Sequence, residues 1–392
     1  MMSIKFKIND FGPISETNME IGKINVVGGL NATGKSTASK LLYCFLKGCT
    51  FNRKRFAYSL IPHQMSNVSD LSDNSTFNSF KGNVKRLVEE FEPVRSRISK
   101  SNDSMFNSDS ILKKIEDDEN LYKFILEHMI HTEFSSGILN GYASLSGVYK
   151  DESFDFSFDV DDEELNCSAE GNLLFNNVYY FDSISVFDEV YLRMEGVNKN
   201  NSFVNFFNDR DEPDGSSDDE INNKVMELQD KLEDIINGKF ESNGNDFVFI
   251  SNDGYVSAMG DTSSGIKQIG IIQTLLLNHK LKEDSFLIID EPEEKLHPEL
   301  QIKFAEVLVL FAKELNIFVY LNSNSPMFIE AVSLYSQYYD LLEDTNFYLT
   351  REHGKGYTFE KIDSKDMGAV YENLTAPYDI LDDLKAKILF KE

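Results

Sequence analysis

The run Gly29-Leu30-Asn31-Ala32-Thr33-Gly34-Lys35-Ser36 spaces two glycines, a lysine and a hydroxyl as G-x-x-x-x-G-K-S. That spacing can cradle a chain of phosphates. Glycines at 29 and 34 let backbone N–H groups turn inward on phosphate oxygens, where a Cβ would obstruct. Lys35 then reaches the β- and γ-phosphates, and the Ser36 hydroxyl is placed to hold Mg²⁺. The expected nucleotide contacts are Gly29, Asn31, Ala32, Thr33, Gly34, Lys35, Ser36 and Thr37, with ATP and Mg²⁺ as the ligands.

A second group of chemical residues lies far downstream. Phe286-Leu287-Ile288-Ile289-Asp290-Glu291 is an apolar run that ends in two carboxylates. Asp290 is positioned to hold Mg²⁺ through its water shell, and Glu291 to serve as general base for an attacking water. Just before it, Asp261-Thr262-Ser263-Ser264-Gly265-Ile266-Lys267 precedes apolar residues at helical spacing. Ser263 and Ser264 therefore sit at a helix N-terminus. Two readings stay open: a serine cap for that helix, or a second anion-binding helix end that meets a γ-phosphate.

These residues need particular elements beneath them. Ile24-Asn25-Val26-Val27 predicts the strand before the phosphate loop, and the stretch from Lys35 to about Lys47 the helix after it. The helix dipole places roughly half a positive charge at the phosphates. Residues 286–289 predict a buried parallel strand whose C-terminal end faces the ligand. Ile317 to Leu321 predicts another. Ile4, Phe6 and Ile8 alternate with lysines as a half-buried strand.

Between the two groups, 66–80 and 208–220 read as loops by composition. Val84 to Phe91 and Leu121 to His128 read as helices, and the alternation around Phe154, Phe156 and Phe158 as a strand. The acidic run 159–164 reads as a solvated turn. Ile221, Val225, Leu228, Leu232 and Ile235 stripe a helix that Gly238 ends. Asn177 to Ser183, with Asp182 near its end, reads as a core strand. No heptad pattern persists, so a long coiled-coil arm is excluded. His128 and His131 lack a third ligand at useful spacing and read as ordinary helix residues.

The 392-residue chain is 41% apolar, enough for a sizeable core, and carries a net charge of −28. Such a balance opposes non-specific binding to nucleic acid, although Arg53, Lys54 and Arg55 cluster locally. No apolar run of about 18 residues and no leader-like start are present, so a soluble, cytoplasmic protein without a membrane partner is expected. Cys44, Cys49 and Cys167 form no ligand or redox spacing.

The order of the phosphate loop, Ser263-Ser264-Gly265-Ile266-Lys267 and Asp290-Glu291-Pro292-Glu293-Glu294-Lys295-Leu296-His297-Pro298 resembles the ABC-type ATPases of the overcoming-lysogenisation-defect and chromosome-maintenance (SMC-like) lineage. The opening Phe11-Gly12-Pro13-Ile14 is similar to that family's first hairpin. The resemblance implies an α/β P-loop NTPase head with a mixed or parallel sheet flanked by helices. Residues 1–48 and 177–392 would form the ATPase core, and 49–176 an inserted, mainly helical subdomain. It makes Ser263, Ser264, Gly265 and Lys267 a signature that caps the nucleotide of a second copy, hence a homo-oligomer of at least two. One departure stands out: the family's Thr-His-Ser-Pro reads Asn322-Ser323-Asn324-Ser325-Pro326 here. Asn324 takes the place of a histidine that contacts the γ-phosphate, and an amide cannot titrate. Slow hydrolysis is the expectation, with Glu291, Asn324 and Lys35 as catalytic residues. Many members carry a Toprim nuclease; only about 65 residues follow Pro326 here, too few for that domain. The expected effector is therefore a separate nuclease in a phage-defence system. The alternative is a DNA-repair or chromosome-associated ATPase that contacts DNA directly.

Overall fold

The computed structural model describes residues 3–50, 119–134, 140–161, 164–181, 219–243, 246–258, 261–364, 367–374 and 376–389. The predicted loops at 66–80 and 208–218, the helix at 84–91, Asp182 and the cluster at 53–55 lie outside the described residues.

One large mixed sheet organises the molecule. It contains β1 (Ser3–Phe11), β2 (Ile14–Ile21), β3 (Ile24–Gly28), β4 (Gly141–Tyr149), β5 (Glu152–Asp161), β6 (Glu164–Gly171) and β7 (Val178–Phe181). β11 (Phe286–Asp290), β12 (Phe318–Ser323), β13 (Thr345–His353) and β14 (Gly356–Ile362) complete it. The order is β6-β5-β4-β1-β2-β14-β13-β3-β12-β11-β7. β7, β11, β12, β3 and β13 run parallel, whereas β1, β2, β4, β5 and β6 pair antiparallel. A separate hairpin sheet joins β8 (Gly238–Asn243), β9 (Asp246–Ser251) and β10 (Val256–Ala258).

Helices cover both faces. α1 (Lys35–Lys47) and α2 (Glu119–Glu133) pack on one side. α3 (Asp219–Ile236), α4 (Ser264–Leu277), α5 (Pro298–Glu314) and α6 (Pro326–Tyr338) pack on the other. Short α7 (Gly368–Leu374) follows α6 in space and leads into α8 (Ala376–Leu389). The period of two in β11 and β12 divides their apolar residues between the faces. Phe286, Ile288, Phe318 and Tyr320 belong to one core, and Leu287, Ile289, Val319 and Leu321 to the other. Burial on both sides explains why these strands read as continuous apolar runs rather than as alternation.

The predicted strands and helices within the described residues are present, with ends shifted by a few residues. Residues 141–171, part of the stretch expected as an insertion, pair onto β1 and extend the main sheet. Of the acidic run, Asp159 and Asp161 lie in β5 and Glu164 opens β6, while 162–163 lie outside the described residues.

Asn25 is a fully buried polar residue inside β3. Its Oδ1 accepts the Gly22 N–H (2.8 Å), while Nδ2 donates to the Gly22 carbonyl (3.0 Å) and the Val319 carbonyl (3.3 Å). It thereby pins the turn into β3 against β12. Asn25→Val leaves those groups without partners and should lower unfolding free energy by about 1–3 kcal/mol in urea titrations. An unchanged midpoint and slope would rule out this role.

Candidate functional site

The site forms where three neighbouring parallel strands end together. Asp290 on β11 is level with Asn322 on β12, and Asn322 is level with Val27 on β3. The chain then leaves β3 into the 29–34 loop, and leaves β11 into Glu291. Ligands of open parallel sheets bind beyond these strand ends. Asn322, fully buried between the two motifs, donates to Asp290 Oδ1 (3.0 Å) and to Ser39 Oγ on α1 (2.9 Å). Ser39 Oγ donates in turn to the Ser36 carbonyl (3.1 Å). One amide thus fixes the Asp290 carboxylate relative to the helix that carries Ser36.

The loop is compact because its glycines are in contact with other strands. A Cβ on Gly29 would overlap Thr350 Oγ1 on β13, and one on Gly34 would come within 2.6 Å of Ile14 at the start of β2. Gly34 has φ 95° and sits immediately before α1. Inside the loop, Thr33 Oγ1 donates to the Leu30 carbonyl, and Lys35 Nζ to the carbonyls of Gly29 and Leu30, all at 2.8 Å. Ser36 is exposed at the helix N-terminus, as are Asn31 and Ala32 beside it, and Thr37 is half-buried.

Charge is concentrated behind the loop. Burial lowers the pKa of Lys35, while Asp290, Glu291 and Glu293 oppose that shift. The Glu291 carboxyl is raised, first by burial and then by the adjacent Asp290, with Lys35 and the Asn324 amide acting against the rise. Asn324 Nδ2 donates both to Glu291 Oε1 (2.5 Å) and to Asn31 Oδ1 of the loop (2.7 Å). Asn324 therefore links the expected general base to the phosphate loop. Glu291 itself adopts φ 51°, a left-handed conformation that costs a non-glycine residue about 1–2 kcal/mol. Its N–H donates to the Asn322 carbonyl at 2.9 Å, which holds it there.

Ser263 is the N-cap of α4, and its exposed side chain makes no capping hydrogen bond with that helix. The backbone of Ser264 begins the helix. Gly265 is pressed against the 295–296 turn: a Cβ there would approach Leu296 Cδ2 to 2.9 Å and the Lys295 carbonyl to 3.1 Å. Lys267 is half-buried, and its N–H donates to the Ser263 carbonyl (3.0 Å). The structure brings together Lys35, Asp290, Glu291, Asn324 and Asn31, and places the Ser263 turn beside the chain that follows Glu291.

Sequence reasoning gave Asn322, Ser39 and Glu293 no role in the site. Asn322 carried a signal, as a lone amide ending an apolar strand. Ser39 carried none, because a small polar residue on a helix has no characteristic pattern.

The residues fit the expected ligands. The glycine-lined loop leaves backbone space that side chains would fill, and the donor set is a hydroxyl with carboxylates, the hard oxygens that Mg²⁺ takes. Ser36 and Asp290 would hold the metal, and Lys35 with the loop amides the phosphates.

Neither a protein-family model nor a curated protein matches the chain. Solved structures of similar chain path include an SMC head domain from Thermotoga maritima, 9% identical with TM-score 0.43, covering 92% of this chain and 99% of that one. An Smc head domain with an extended coiled coil bound to the C-terminal domain of ScpA, derived from Pyrococcus furiosus, is 9% identical with TM-score 0.46. That comparison covers 98% of this chain and 100% of the other. An ATP-binding cassette of an ABC transporter in its ADP conformation is 11% identical with TM-score 0.36, covering 96% of each chain. The mixed sheet, the helices on both of its faces and the strand–loop–helix junction at 24–47 make an α/β P-loop fold.

Glu291 is the expected base and must be ionised to act, so any nucleotide hydrolysis at this site is expected to fall on the acid side through the raised Glu291 pKa, above the ordinary carboxylate value of 4.5. Asn324→Ala removes a hydrogen bond that favours the carboxylate. The acid limb of a kcat/KM–pH profile, which reports the unliganded protein, should then move to still higher pH. An unmoved limb would disconnect Asn324 from Glu291.

Proposed function

We propose that this chain binds ATP with Mg²⁺, hydrolyses it slowly, and uses the bound nucleotide to hold two copies together. The carrying observation is the link from Asn31 through Asn324 to Glu291, set beside Lys35 and Asp290 on adjoining strand ends. Mg²⁺, when bound, would offset phosphate charge and orient the reacting phosphate. Lys35 and the amides at the start of α1 stabilise negative charge on the phosphoryl group. Glu291 accepts the proton of the attacking water, and Asn324 orients the carboxylate that does so. Asn324 carries no charge toward the phosphate, which supports slow turnover. Asn324→His should raise kcat about tenfold or more; equal rates would refute the slow-hydrolysis reading.

The exposed Ser263 hydroxyl, unspent on its own helix, supports a role against the nucleotide of a second copy. With each protomer at −28, association is disfavoured until ligand contributes at that face. Glu291→Gln should accumulate an ATP-loaded dimer in light scattering, and adding Ser263→Arg should return it to monomer with ATP affinity retained. A Glu291→Gln protein that stays monomeric at saturating ATP·Mg²⁺ would count decisively against the switch. A separate nuclease as the effector rests on the motif resemblance of Ser263–Lys267 and Glu291–Pro298; co-purification with the product of a neighbouring nuclease gene tests it.

A further inference from the structure

Glu293 lies two residues beyond the proposed base, with no chemical role in the reading above, which assigns proton transfer to Glu291. Its side chain is more than nine-tenths buried. Three donors converge on its Oε1: the Ser323 hydroxyl (2.7 Å), the Asn324 N–H (2.8 Å) and the Ser325 N–H (3.1 Å). These belong to three consecutive residues of the turn that presents Asn324. Ser325 N–H is shared with Ser323 Oγ (3.0 Å), and Ser325 Oγ caps α6 by accepting the Phe328 N–H (3.2 Å). The other end of the connection is held as well. Gln301 Nε2 on α5 donates to the carbonyls of Glu293 (3.2 Å) and Leu296 (3.0 Å), and its Oε1 accepts from Ser325 Oγ (3.4 Å).

A buried carboxyl group is costly unless hydrogen-bonded: burial raises the Glu293 pKa, the donors on Oε1 oppose that rise, and Oε2 is buried with no hydrogen-bond partner among the described residues. Three hydrogen bonds on one oxygen overdetermine the turn, far beyond what a surface connection between β12 and α6 requires. Their geometric result is the direction of one side chain, Asn324, which spans Asn31 and Glu291. The same segment, 295–296, carries the contact with Gly265 at the start of α4.

We propose that Glu293 is a positioning residue for hydrolysis: it clamps the 323–325 turn so that Asn324 aligns Glu291, and ties that alignment to the segment on which the Ser263 turn rests. The inference depends on the ATPase reading for its chemistry but not for its geometry.

Glu293→Ala removes all three acceptor contacts. ATP turnover should fall about 10- to 100-fold, the cost of misplacing a reacting group by roughly 1 Å, with ATP affinity within about twofold of wild type. Glu293→Gln keeps a carbonyl acceptor at Oε1 and should recover most of that loss, although its buried NH₂ lowers thermal stability. In a double-mutant cycle, Glu293→Ala should add almost nothing to kcat once Asn324 is alanine, because both act through one contact. Amide exchange by mass spectrometry gives a readout independent of turnover: residues 323–325 should lose protection in Glu293→Ala and keep it in Glu293→Gln. Additive effects on kcat, or unchanged exchange at 323–325, would overturn the proposal. Absence of turnover in wild type would instead refute the ATPase reading, with exchange still deciding the clamp.

Discussion

One ammonium, that of Lys35, faces the carboxylates of Asp290, Glu291 and Glu293 in surroundings that are largely withdrawn from water. Everything else at the site follows from keeping that balance tolerable. Burial disfavours every charged form, so each ion needs a partner or a set of donors. Lys35 has two loop carbonyls, Asp290 has the Asn322 amide, Glu293 has three donors, and Glu291 has Asn324. The excess of carboxylate over ammonium suits a site that takes in a divalent cation, and the loop amides suit the polyphosphate that accompanies it.

The parallel sheet makes this crowding feasible. Equal registers of β11, β12 and β3 bring residues almost 300 positions apart to one level without any loop having to place them. Among the described residues, short turns complete the site and two of them are held: the loop by contact of its glycines with Thr350 and Ile14, the 323–325 turn by Glu293. Strain at Glu291 is held by Asn322, itself pinned between Asp290 and Ser39. Asn322 is thus the common neighbour of Asp290 and Glu291.

Much of this was legible in the residues. The strand, loop and helix around 24–47 and the strand at 286–290 announce themselves, because phosphate geometry and two-sided burial demand unusual sequences. Asn324 was also legible, through its departure from a family pattern. β4 and β6 were not, since Gly141-Tyr142-Ala143-Ser144 and Leu165-Asn166-Cys167-Ser168 have small or polar residues on both faces and a weak period of two. Glu293 was hidden for another reason. In a run of four acidic residues broken by one proline, nothing local says which carboxylate is buried; long-range placement against 323–325 decides it.

The position of β3 has a consequence for biosynthesis. Its two ladder neighbours are β12 and β13, which the ribosome produces roughly 290 to 330 residues later. Until then the apolar segment Ile24–Gly28 has neither edge paired, a state that invites association with other nascent chains. The element that defines the phosphate loop is among the earliest made and among the last to be enclosed, so a truncated product carries a sticky strand and an unformed pocket together.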